Sequence, residues 1–288
     1  MNTDELEFGG LNAPRREVDS NDPRFDDHSE TMIYQARLDR NTRLECLAIK
    51  RGNVPTVVSF HGALLRKKYI LPRFEWLSTL QKTPYNVLFF SDPSLLLHKR
   101  LELAWFTGWA GLDLHRLIAK WANIFAENSG SKKVVLAGSS GGGFAALQTA
   151  PHVRNSTAVV FNPQTQLDAY LVGGRADGLK AQTDYLRAVY PELIKKDGSF
   201  DPNWARSVGD KASALEVYKK LELQKVHYWT APNDFHHQEH YVPFVEAYSR
   251  GVEHNHLQTF EYDARPGHRP PSHAIFKTAI EGAISDSR

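Results

Sequence analysis

From about residue 31 onward, short apolar runs alternate with longer segments whose apolar residues recur every three or four positions. The runs predict eight strands: Ile33–Leu38, Arg43–Ile49, Thr56–Phe60, Asn86–Ser91, Lys133–Ala137, Ala158–Phe161, Val226–Thr230 and Leu257–Tyr262. The inner ones (TVVSF, NVLFF, KVVLA, TAVVF) are apolar at consecutive positions instead of every second one. That is the pattern of parallel strands covered by helices on both faces. Helical spacing predicts Leu112–Glu127, Gly142–Ala150, His237–Arg250 and Ser272–Ser285. The expected class is therefore α/β, a mostly parallel eight-stranded sheet with helices on both faces.

Two stretches depart from the rhythm. Residues 1–30 are polar, rich in acids and interrupted by Pro14 and Pro23, and are expected to form an arm outside a main domain spanning 31–288. Between Phe161 and Val226 lie about sixty residues with helical stretches and no clear strand. This helical insertion between strands six and seven (162–223) is either a cap over a site or a peripheral excursion.

Composition narrows the class. A hydrophobic share of 41% supports a packed core and excludes wholesale disorder. With 35 basic and 33 acidic side chains, the charge of +2 gives no field that would select nucleic acid or an anionic membrane as main partner. No run approaches 18 apolar residues, so no membrane span is expected. The first thirty residues lack the apolar core of a signal peptide, which leads to the expectation of a cytoplasmic protein. One cysteine, Cys46, allows neither an internal disulfide nor a CxxC pair nor a cysteine-rich zinc site.

The chemistry concentrates in VVLAGSSGGGFAAL, residues 134–147. Gly138-Ser139-Ser140-Gly141-Gly142 reads G-x-S-x-G between a buried strand and a helix. A serine on such a tight turn is pushed out at the sheet's carboxyl edge, and glycines two residues either side let strand and helix approach. The Gly141 N–H then lies at a helix N-terminus, where it can hold an oxyanion. Ser139 is the alternative nucleophile, within a relaxed version of the motif; Ser140 is preferred because glycines flank it symmetrically. The same run resembles a relaxed dinucleotide fingerprint, but its glycines fall inside the helix and no acid ends the next strand. A nucleotide-phosphate loop would need Lys-Ser or Lys-Thr where Phe144-Ala145 stands. A merely tight structural turn is the remaining reading.

A second element, Val57-Val58-Ser59-Phe60-His61-Gly62-Ala63, ends a buried strand in His-Gly. In serine hydrolases the loop at this place supplies the other oxyanion donor, here the Ala63 N–H. The bland alternative is a strand end with a polar cap.

With these motifs in this order, the chain from residue 31 resembles the α/β-hydrolase superfamily. That resemblance implies a nucleophile, acid and histidine in that chain order. It places the acid at Asp234, in KVHYWTAPND, and the histidine at His268, in LQTFEYDARPGHRPPSHAIF. His273 is the rival histidine, and Asp168 the fallback acid; Asp263 comes too early. His236–His240 also spells H-x-x-E-H, an inverted zinc-protease motif. The triad already accounts for the neighbouring Asp234, so no metal or other cofactor is expected; one of these histidines is expected to pack against or hydrogen-bond the acid loop, and the rest to face solvent. The remaining scattered histidines, such as His98 and His152, read as surface or core residues.

Substrate contacts are expected where loops leave the carboxyl edge: His61, Trp105, Trp109 and Gln164. Tryptophan beside amide side chains suits a sugar ring; alternatively the tryptophans seal the core. These segments look similar to hydrolase-like proteins of bacterial surface polysaccharide and glycosylation systems. The expected substrate is a small-molecule or glycan ester, and the expected function a serine carboxylic-ester hydrolase. A glycan O-acetyltransferase on the same triad, or a non-catalytic glycan-binding or assembly protein on this fold, are the alternatives.

Overall fold

The structure is a computed structural model and describes residues 5–8, 11–26, 31–170, 176–220, 224–249 and 256–286. Ten strands form one sheet: β1 Glu5–Phe8, β2 Leu11–Glu17, β3 Thr31–Arg37, β4 Arg43–Ile49, β5 Thr56–Phe60, β6 Asn86–Ser91, β7 Val134–Ser139, β8 Ser156–Phe161, β9 Lys225–Thr230 and β10 His256–Glu261. Their spatial order is β1-β2-β3-β4-β6-β5-β7-β8-β9-β10. From β6 through β10 every pairing is parallel, whereas β1–β2, β3–β4 and β4–β6 are antiparallel. The longer helices are α1 Leu114–Ser129, α2 Gly141–Thr149, α3 Ala176–Val189, α4 Val242–Ser249 and α5 His273–Ser285.

The consecutive apolar residues of the inner strands divide between two cores. Val58, Leu88, Leu136 and Val160 join one cluster with Ile118 and Trp121 of α1. Their neighbours Val57, Val87, Val135 and Val159 join the other, with Phe276 and Ile280 of α5. Successive side chains of a strand point to opposite faces, so a sheet covered on both sides must be apolar at every position.

The eight expected strands are present, with ends displaced by two residues at most. Two features differ. Part of the stretch expected to lie outside the main fold is a strand: β2 runs parallel to β3, and its Arg15 forms a 2.8 Å ion pair with Glu45 of β4. The expected helix His237–Arg250 begins as a π-helical turn, His237–Tyr241, before α4; Arg250 lies outside the described residues.

Between β8 and β9 the described residues hold α3 and two short helices, Ala205–Val208 and Ala214–Tyr218. This insertion is packed inward: Tyr185, Trp204 and Tyr218 are buried, and Tyr185 sets its ring edge against Trp105. Residues 171–175, the first part of the expected cap after the β8 loop, lie outside the described residues. No helix among the described residues is long and apolar enough to cross a membrane.

Candidate active site

The strand-to-helix turn between β7 and α2 puts Ser140 at φ 56° and ψ −123°. A side chain in that region costs about 1–3 kcal/mol, and the surroundings impose it. The Ser140 N–H donates to Phe161 O at 2.9 Å, and its carbonyl accepts from Phe144 N at 3.0 Å. The flanking glycines are sterically required. A Cβ on Gly138 would lie 2.3 Å from the Gly142 carbonyl, and one on Gly142 would lie 2.4 Å from Phe60 O. Ser139, the alternative nucleophile, is buried as the last residue of β7.

Asp234 and His268 meet on the loops that follow β9 and β10, with His268 Nδ1 2.8 Å from Asp234 Oδ2. Asp234 is buried and accepts three further hydrogen bonds: from Asn162 Nδ2 at 2.8 Å, from His236 N at 2.9 Å and from His236 Nδ1 at 3.2 Å. Burial pushes this carboxyl up, but the hydrogen bonds from His236 and His268 outweigh it and hold it well below the usual carboxylate range. Asp234 is therefore an ionised acceptor at neutral pH, able to orient an imidazole and stabilise its protonated form. His268 is partly open to solvent, and its ring stacks on His236 at 3.9 Å.

Ser140 joins this group through Gln164. The Gln164 amide donates to Ser140 Oγ at 3.0 Å and to His236 Nε2 at 2.6 Å, while its Oε1 accepts from Trp105 Nε1 at 3.2 Å. These bonds assign the amide orientation and make His236 Nε2 an acceptor, so its proton sits on Nδ1, facing Asp234. Among the described residues Ser140 Oγ makes no hydrogen bond to His268.

The loop after β5 lies against the nucleophile: a Cβ on Gly62 would be 3.7 Å from Ser140 Cβ and 3.9 Å from Gly141 N. Gly62 N–H is held by Glu75 Oε2 at 2.8 Å, so the exposed Ala63 supplies the next amide of this loop. Gly141 N is the first amide of α2.

Two expected substrate contacts face elsewhere. His61 is buried, with its Nδ1–H on Gly62 O at 2.8 Å and its Nε2 accepting from Asp92 N at 3.0 Å. Burial lowers its pKa to about 4, so it is a neutral structural residue of the loop base. Trp109 is buried too, with its Nε1 on Asp39 Oδ1 at 2.8 Å. Trp105 and Gln164 do belong to the site, but as buried residues behind and beside Ser140, not as an open sugar platform.

The rival residues fall outside. His273 opens α5, hydrogen-bonds Thr79 Oγ1 and meets the Trp76 ring edge. Asp168 accepts from Gln166, and Asp263 is exposed. In the H-x-x-E-H run, His236 addresses Asp234 and Gln164 while His240 Nδ1 accepts from Thr165 N, so the pair does not converge on one point. Asp234, His236 and His268 do present ligand atoms within 4.8 Å of one another, but both Nδ1 atoms are turned onto the carboxylate as hydrogen bonds.

Sequence reasoning missed Asn162 and Glu75; of the H-x-x-E-H histidines, His236 is the one that hydrogen-bonds Asp234 on the acid loop. Asn162, at φ 39°, ties the segments after β9 and β10 together by accepting from Ala231 N and donating to Asp234 and to the Tyr262 hydroxyl. Its place at the end of β8, level with Ser140, was the available signal.

The sheet order and the strand-to-helix turn at Ser140 give this chain an α/β-hydrolase-like fold. No protein-family model matches the sequence, and no curated protein matches it. Solved structures do. The capsule O-acetyltransferase of Neisseria meningitidis serogroup A superposes with a TM-score of 0.63 at 15% identity, covering 88% of this chain and 94% of that one. The acetyl xylan esterase from Paenibacillus sp. R4 gives 0.54 at 12%, over 89% and 88%. The glycosylation-associated Gap123 complex from Streptococcus agalactiae gives 0.59 at 15%, over 88% of this chain and 46% of that one. At such identities the likeness establishes the shared fold.

Proposed function

We propose that this protein is a serine-dependent acyl-transfer enzyme, in its simplest form a carboxylic-ester hydrolase. The observation that carries the reading is Ser140 on its strained turn, beside loops that hold the His268–Asp234 pair at 2.8 Å. Ser140 Oγ attacks the ester carbonyl as His268 Nε2 takes its proton; Asp234 fixes the ring and balances the charge. The Gly141 and Ala63 amides receive the oxyanion. His268 returns the proton to the departing alcohol. Water, deprotonated by His268, then attacks the acyl-enzyme and releases the acid. Gln164, donating to Oγ, stabilises negative charge there as the proton leaves.

A second reading replaces water by a sugar hydroxyl, giving a glycan O-acetyltransferase. Extended likeness to the capsule O-acetyltransferase over most of both chains favours keeping it. Products formed from a labelled acetyl donor and a glycan acceptor separate the two: free acetate alone would rule transfer out.

Ser140→Ala is expected to abolish ester turnover in a protein that keeps its far-ultraviolet dichroism and melting transition. Undiminished turnover in the folded variant would refute the proposal and favour a binding or assembly protein.

A further inference from the structure

Residues 68–78, beyond the β5 loop, face the Pro270–Pro271 segment that follows His268, and between them lies a cleft of about 670 Å³. That size suits a small ligand or one arm of a larger one. The cleft borders the candidate site. Glu75, in its wall, holds the Gly62 N–H, and Gly62 packs against Ser140. The cleft therefore adjoins the loop that packs on Ser140.

The lining is cationic and apolar at once. The Arg73 guanidinium lies 4.4 Å from the centre of the Tyr69 ring, its Nε has no hydrogen-bond partner, and it forms no ion pair among the described residues. Lys68 is exposed and likewise forms no ion pair among them. Glu75, the acid in the wall, is turned onto the Gly62 amide; burial pushes its carboxyl up, and the Gly62 hydrogen bond and the Arg73 charge offset only part of that. A smaller depression that shares Ser78 and His273 continues the cleft and adds Lys82. The apolar part is Ile70, 86% exposed, with Pro270 and Pro271 opposite. Planar guanidinium and lysine ammonium groups not locked in a close ion pair are the groups that recognise phosphate.

We propose that this cleft is a binding site for the phosphate-bearing arm of the substrate, with phosphate at Arg73 and Lys68 and an apolar linker against Ile70 and the two prolines. The link to Ser140 rests on the acyl-transfer reading above. Two substrates share this chemistry: an acyl donor on a phosphorylated thioester carrier, and a glycan acceptor joined by phosphodiesters.

The test uses full-length Ser140→Ala protein, titrated calorimetrically with coenzyme A and, separately, with a phosphodiester-linked oligosaccharide, at low and high salt. At least one probe is expected to bind, to weaken as salt rises, and to weaken about tenfold or more in Lys68→Glu or Arg73→Gln. Binding of coenzyme A assigns the cleft to the donor, and binding of the oligosaccharide assigns it to the acceptor. Lys68 is a surface side chain, so its variant keeps the test open should Arg73→Gln not fold. Failure of both probes to bind, or binding indifferent to salt and to Lys68→Glu, overturns the proposal. Fluorophosphonate labelling of Ser140 in the unsubstituted protein reads the serine reaction independently. Normal labelling without probe binding rejects the cleft alone; salt-dependent binding without labelling rejects the acyl-transfer reading and leaves the anion site standing.

Discussion

Asp234 serves two imidazoles, and the difference between them sets their expected roles. His236 is fully buried with its Nδ1 and Nε2 both engaged by protein groups, whereas His268 leaves its Nε2 uncommitted and its ring partly exposed. The first holds Gln164 and Asp234 in place; the second can carry a proton. His268→Ala is expected to lower kcat for an ester by about 10³-fold or more, and His236→Gln by about 10–10²-fold. Equal losses, measured side by side, would reverse the assignment. A second pair of buried groups contributes to the response to acid. His61 has its pKa lowered by burial to about 4, so acidification below about 6.5 protonates the unfolded chain first and costs stability. Asp92 has its pKa raised by burial to about 6, so in the same window the folded state takes the proton first and gains stability. The two oppose each other between about pH 6 and 4. Asp92→Asn removes the compensating half, and its stability between pH 7 and pH 5 should fall by about 1 kcal/mol more than that of the parent in urea titrations. An unchanged difference would show that Asp92 is not raised.

At the scale of elements, the inner strands were legible in the sequence because burial on both faces leaves no polar alternation to confuse them. The turn at Ser140 was legible for the same kind of reason: its glycines are imposed by contacts a Cβ could not survive. Gly142→Ala is expected to be insoluble or destabilised by about 2–4 kcal/mol, since the added carbon would press on the Phe60 carbonyl of β5. Gly282, in α5, has nothing within 4 Å of a Cβ, so Gly282→Ala should stabilise by about 0.5–1 kcal/mol. Melting temperatures of the two variants check both signs. The N-terminal strands were not legible. β2 reads LNAPRRE, and it lies near the sheet margin, where polar residues meet solvent and Pro14 withholds a donor. Its pairing depends on β3 and on Glu45, which no local pattern reveals. The π-helical turn at His237 was hidden similarly, since an apolar period does not report one extra residue in a turn.

For the molecule as a whole, parallel strands from β6 to β10 bring the turns after β5, β7, β8, β9 and β10 to one carboxyl edge. Those turns carry Gly62, Ser140, Gln164, Asp234 and His268. The G-x-S-x-G turn pointed to Ser140, and the resemblance to the α/β-hydrolase superfamily, with its chain order, pointed to Asp234 and His268. The H-x-x-E-H run drew attention to His236 but not to its bond with Gln164, and the role of Asn162 stayed invisible, since both arise only where the β8 and β9 loops close on each other. His61 and Trp109 were misplaced because sequence locates a loop but not the direction of its side chains. The insertion after β8 seals the helical face beside Trp105, so the depth of Gln164 is a product of the entire fold.

The most direct measurement is to react the purified protein with a fluorophosphonate, weigh it, and map the adduct. The account predicts a single adduct on Ser140 that is lost in His268→Ala. An adduct on Ser139, or none on either serine, would contradict it and leave the Ser140 turn as a structural element of a binding protein.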